Sequence, residues 1–294
     1  MFELDPTPQS PMKVWSQGIR LGWAGFPKLI ALTTVLAFIS LLPTIYMADK
    51  LGNTEVTPDV MQEFFRQGHF IRDLLLLELL MLVLSSFVNA LIIRRLDHTV
   101  HGTQPAHEFG FASSKLLSLM LAGILVVVTL IIGLIIAVII GGVLGAVLGT
   151  MLGHDTAIVV SLTCFLIATI FISVNLVFFQ FAIVLDSKGP VSSLNHSCAL
   201  VFRNWWRTFL VLLITLIVIM FIAVLVTLVM LSAVHGHLLQ DAMDNGRAML
   251  VKGILNLVGA ALLAPFVMGI LYALYHDLGM RYTQRSTHTG VVQA

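Results

Sequence analysis

The chain has 294 residues, of which 58% are hydrophobic and only 11% charged, with a mean hydropathy of +0.99. Soluble domains carry roughly a quarter charged residues, and no water-soluble fold can hide this much apolar surface, so the chain reads as an all-α integral membrane protein. A net charge of +1 and a pI near 7.9 exclude a basic field for nucleic acid and a charged docking tail.

The polar start holds Glu3, Asp5, Lys13, Arg20 and Lys28, which sets the first apolar run too far in for a typical cleaved signal. Met12, Trp15, Ile19, Trp23 and Phe26 recur at helical spacing with Lys13, Gln17 and Arg20 on the other side. That pattern predicts an amphipathic helix in the headgroup plane, with Trp15 and Trp23 as interfacial residues. A span follows at Leu29 to Met47, interrupted by Pro43. The next loop, Ala48 to Ile71, includes a possible short surface helix at Pro58 to Phe65.

The second span, Arg72 to Ile93, carries Glu78, the one acidic residue deep within an apolar run, and Asn89 near its other end. Arg72, Asp73, Lys252 and Asn256 are the expected partners of Glu78; pairing or snorkelling explains it, and a transport role is the sharper reading. Asp97, His98, His101, His107 and Glu108 then cluster in a polar stretch, while His154, Asp155, His235 and His237 are placed to converge on the other side. Histidine with carboxylate can bind metal, but the spacing matches no metal signature and reads as solvated loop. No cofactor is expected.

Leu116 to Gly153 is too long for one span. Assigning Ala106 to Met120 to a surface helix, with Ser113 on its apolar face, leaves a span at Leu121 to Leu144. Gly141, Gly145, Gly149 and Gly153 stand four apart on one helical face, suited to close helix packing or to self-association. The fourth span, Thr156 to Val184, holds Asn175 and Gln180. Pro190 then opens a second Trp-rich amphipathic segment, Val191 to Trp205, before spans at Thr208 to Ala233 and at Leu250 to His276, with Asn256 and Pro265 in the last. Trp205 and Trp206 are further interfacial residues, and 282–294 form a tail. Amides inside spans are explained by interhelical hydrogen bonds. Cys164 and Cys198 fall on different levels, so no disulfide is expected.

Pro11, Pro105 and Pro190 each open, and Asp97, Asp186 and Asp277 each close, one of three similar stretches. They predict three parallel repeats over 11–104, 105–189 and 190–281 within a single polytopic domain, each a surface helix, a span, an outside loop and a span. Eleven of the sixteen Lys and Arg fall on the side of both termini, which places those termini in the cytoplasm.

Ala199, Leu200, Asn204, Trp205 and Trp206, with Tyr272, Tyr275, His276, Asp277, Leu278 and Arg281, make the chain resemble the YciC-type bacterial inner-membrane family. More distantly it resembles the membrane-anchor domain in front of some glycerophosphodiester phosphodiesterases. The resemblance implies a bacterial cytoplasmic-membrane address and no active site. The chain also lacks GxxxxGK[ST], GxSxG, HExxH and GxGD patterns, so an enzyme is not expected. The expected role is envelope or bilayer maintenance, or membrane scaffolding, with membrane lipids and a copy of itself or another membrane protein as partners. The alternative is a small-molecule or ion transporter with Glu78, Asn89, Asn175 and Asn256 around a shared cavity, or a permease-like subunit of a larger complex.

Overall fold

The computed structural model describes residues 2–51, 66, 68–103, 107–233 and 246–288. The expected surface helix at Pro58 to Phe65 and the histidines at 235 and 237 lie outside the described residues, as does the side chain of Asn256. Among the described residues every regular element is a helix: α1 Pro11–Leu51, α2 Gly68–His101, α3 Glu108–Leu152, α4 His154–Leu176, α5 Phe179–Val184, α6 Pro190–Phe202, α7 Trp205–Ala233 and α8 Gly246–His288. Among the described residues six stretches are long and apolar enough to cross a bilayer: Pro11–Met47, His69–His101, Glu108–Thr150, Asp155–Val184, Trp205–Leu225 and Leu257–Arg285. The chain is a multi-pass membrane protein.

The first two expected surface helices are not separate elements. Met12 to Phe26 runs into the first span as the 41-residue α1, and the middle segment runs into the 45-residue α3. At 1.5 Å per residue α1 reaches about 60 Å, twice a hydrocarbon core of about 30 Å. The reason is local: Phe26 to Leu29 includes no glycine or turn-forming pair, and Pro27 costs α1 one hydrogen bond without ending it. Only the third is a helix of its own, α6, with Pro190 at its first turn and a turn at Arg203 and Asn204 before α7.

By packing, the chain divides into two compact units, one mainly of Gln9–Leu116 with Val211–Leu274, the other mainly of Leu117–Leu210 with Tyr275–Ala294. These boundaries do not follow the expected repeat boundaries, and α3, α7 and α8 each contribute to both units.

In the first unit α1 packs against α2 and α8, antiparallel to each. Gly18 and Gly22 face Gly269: a Cβ on Gly269 would lie 2.5 Å from the Gly18 carbonyl oxygen, and one on Gly18 would lie 2.3 Å from the Ile270 Cα. This is the small-residue contact that lets two backbones meet in lipid. Further along, the Thr33 hydroxyl donates to the Ala261 carbonyl at 3.0 Å. Burial is concentrated at one end of α2, where Val88 and Ala90 to Ile93 are sealed, whereas Leu75, Leu76, Leu79 and Leu80 at its other end are exposed. In the second unit α3 and α4 form a hairpin whose outer faces, from Ile131 to Ile140 and from Ile158 to Ile167, expose large apolar side chains. Apolar surface of this extent suits a lipid environment and not water.

Candidate functional site at the polar ends of the helices

The polar residues within the spans have different surroundings. Glu78 is exposed among leucines on α2 and bonds to no described residue; Arg72 is paired with Asp73 instead, at 3.0 Å. Asn89 and Gln180 are half-buried. Asn175 is buried and used locally: its amide donates to the Phe171 carbonyl at 2.8 Å, and its own carbonyl accepts from Ser197 on α6 at 2.7 Å. The same Ser197 oxygen accepts from the Phe178 backbone N–H at 3.1 Å, in the two-residue break between α4 and α5. One hydroxyl thereby satisfies backbone groups freed by the interruption.

The glycine stripe of α3 faces α4 within the chain. A Cβ on Gly141 would lie 3.0 Å from the Ser161 Cα, on Gly145 2.7 Å from the Ala157 oxygen, and on Gly149 3.1 Å from the Ala157 Cβ. Ser161 adds a hydroxyl bond to the Gly141 carbonyl at 3.0 Å. The stripe extends beyond Gly141 through buried Ala137 to Gly133, which abuts Ile172. Gly153 is the turn, with φ +102°.

The tryptophans divide into two kinds. Trp23 and Trp206 are 64% and 71% exposed, each edge-on to an aromatic neighbour, Phe266 and Trp205 respectively. Trp15 and Trp205 are half-buried, and their Nε1 groups have no described partner. Trp205 stacks between Phe171 and Phe209. Trp15 edges an apolar crevice of about 210 Å³ with Ile19, Val218, Ile222, Val267 and Ile270.

Asp97, Asp186 and Asp277, which stand out in sequence only by their spacing, are all engaged. The Tyr272 hydroxyl donates to Asp97 at 3.0 Å, and Arg94 and His101 lie at 3.3 and 3.0 Å from the same carboxylate. The Tyr275 hydroxyl donates to Asp186 at 2.6 Å, with His196 at 3.2 Å. Arg207 and Arg281 both reach Asp277 at 3.0 Å, and Asp277 is buried. Burial alone would raise the Asp186 carboxyl, but hydrogen bonds from His196 and Tyr275, with the charges of His196 and Lys188, outweigh it and hold the group below its ordinary value. The signal available in sequence was Tyr272 and Tyr275, three apart on one helix, ahead of a third aspartate.

A polar cleft of about 740 Å³ opens where α1 meets the end of α2 and the start of α3. Ala24, Lys28 and Ala31 form its α1 wall; Arg95, His98 and Glu108 face them. Arg95 Nε donates to Glu108 at 3.0 Å, and one terminal nitrogen donates to the Lys28 carbonyl at 2.8 Å. The Phe2 backbone N–H donates to the Thr99 carbonyl at 3.2 Å, laying the N-terminal segment across the end of α2. His98 and His101 stand on the last turns of α2 and not in a solvated loop as their spacing suggested: His98 is buried and bonds Thr103 through Nδ1, and His101 contacts Asp97. Among the described residues no three His, Cys, Asp or Glu side chains converge as a ligand set.

Residues 74–278 match the family described as Domain of unknown function (DUF7847), and the chain belongs to that family. The match carries no support for the YciC-type likeness in particular. No curated protein and no solved structure matches.

Proposed function

We propose that this member of the DUF7847 family is a non-enzymatic membrane protein that organises the bilayer around it, acting in envelope maintenance as a scaffold with lipids as its principal partners. The observation that carries the reading is the set of large apolar side chains standing free beside cations at the polar helix ends. In the second unit these are Val191, Phe202 and Trp206 next to Arg203. In the first they are Met12 and Trp23 near Lys13 and Arg20. Aromatic and aliphatic groups flanked by cations have their free-energy minimum at the headgroup boundary.

The address proposed is a bacterial inner membrane with both termini cytoplasmic, in keeping with the cation bias and the YciC-type resemblance. We also infer the threefold repeat; the like engagement of Asp97, Asp186 and Asp277 by neighbouring cations supports it. The transporter alternative draws no support from Glu78, Asn89 or Asn175, since neither the cleft nor the crevice includes them.

The test compares cells lacking the protein, complemented by wild type or by Phe202→Asp with Trp206→Asp, for leakage of a dye that intact inner membranes exclude. Wild type is expected to restore tightness and the double variant, at equal abundance in the membrane, to fail. Full restoration by the double variant would remove the interfacial reading.

A further inference from the structure

We propose that the cleft between Lys28, Arg95, His98 and Glu108 binds the phosphodiester headgroup of a phospholipid. The inference rests on the bilayer-organising reading only in taking lipid as the partner, and names the lipid chemistry and its residues.

Its depth follows from sequence. Lys28 stands immediately before the apolar run that begins at Leu29, and Arg95 two residues after the run that ends at Ile93, so both cations sit where their helices leave the hydrocarbon. α1 and α2 are antiparallel neighbours there, joined by the Arg95 bond to the Lys28 carbonyl. Phospholipid phosphates occupy that level.

The donor set is incomplete without a ligand. Arg95 uses two of its five donors, on Glu108 and on the Lys28 carbonyl. The Lys28 ammonium forms no hydrogen bond or ion pair with a described residue. His98 is 7% exposed, lines the cleft, and has Nε2 buried without a described partner; Glu108 is 8% exposed and leaves Oε1 in the same state. Buried polar atoms of this kind cost free energy until a partner arrives. With the Thr103 hydroxyl donating to His98 Nδ1, Nε2 carries the proton and donates to a phosphate oxygen. Glu108 Oε1 accepts from the ammonium or hydroxyl of the headgroup.

Charge and shape agree. Lys28, Arg95 and Glu108 sum to one positive charge, the complement of a phosphodiester monoanion. The α1 wall, Ala24, Lys28 and Ala31, continues on the same helical face into exposed Val35 and Phe38. This apolar track leads from the cleft into the hydrocarbon, where an acyl chain lies and a free phosphate has nothing to gain. The crevice by Trp15 offers no such charges.

The experiment is native mass spectrometry of the full chain released from detergent micelles doped with phosphatidylglycerol. Wild type is expected to retain one lipid, and Lys28→Gln to retain it about fivefold less, the loss of one interfacial cation. Lys115→Gln serves as the control and should match wild type, with melting temperatures confirming that all three are folded. Phe38→Asn should weaken lipid retention, and excess inorganic phosphate should leave it unchanged. Equal retention by Lys28→Gln, or displacement of the lipid by inorganic phosphate, would overturn the proposal; the second outcome would make this a free-phosphate site. Either failure leaves the interfacial reading standing, because dye leakage in the Phe202 and Trp206 variant measures that separately.

Discussion

Asp186 sits just past the end of the fourth span with Tyr275 and His196 on its carboxylate, and its ionised form is the one those partners favour. A carboxyl whose folded pKa lies below its unfolded value adds stability that is fully present above the unfolded value and is lost as pH falls through the folded one. The ordinary value here is 3.8, so the loss belongs below about pH 4. Wild type should therefore lose thermal stability more steeply than Asp186→Asn as pH drops from 6 to 3. Parallel curves would show that the carboxylate contributes nothing through its charge. Cys198, nearby on α6, is pushed the other way: burial raises its thiol, which makes it a poor nucleophile.

At the scale of elements, the α3–α4 hairpin is held by the absence of side chains. Gly145→Leu puts carbon against the Ala157 backbone and should destabilise the protein by about 1–3 kcal/mol, the cost of overpacking a close contact. Gly142, one residue from Gly141 and open to its surroundings, should accept Ala without loss, which makes it the matched control. Detergent unfolding followed by helical circular dichroism reads the difference; equal midpoints for the two variants would contradict the packing. This stripe was visible in sequence because its members repeat every four residues, and hydropathy marks six apolar stretches, though not where α1 and α3 begin. The crossing of Gly18 and Gly22 with Gly269 was not, since its two halves are some 250 residues apart. Neither were the Tyr–Asp bonds, for the same reason. The separate surface helices of the first two stretches failed for a different one. Helical periodicity persists across the boundary between an amphipathic face and an apolar run, so it carries no mark of whether the helix stops there.

At the scale of the whole molecule, the proposed topology of six crossings predicts that both ends of the described chain face the cytoplasm. In a chain with Cys164 and Cys198 replaced by serine, single cysteines at Gln9 and Gln284 should react with a membrane-impermeant maleimide in inverted vesicles and not in intact cells. Opposite labelling of the two sites would require an odd number of crossings and would remove one of the six spans. The cleft belongs to this scale as well as to the residue scale, since α1, α2 and α3 each supply part of it. Lys28, Arg95 and Glu108 were each legible as polar residues at span margins, but their convergence came only with the fold.

The link between α3 and α4 is the single residue Gly153, with no lysine or arginine from Leu116 through Thr169. A loop that short gives the insertion machinery almost nothing polar to carry across: the backbone of one turn and the His154 and Asp155 side chains that follow it. Biogenesis of this pair then differs from that of its neighbours. The two segments, already matched along their glycine faces, can partition from the translocon into lipid together as a folded hairpin. The first two spans, separated by a longer polar loop, have no such matched turn to bring them together.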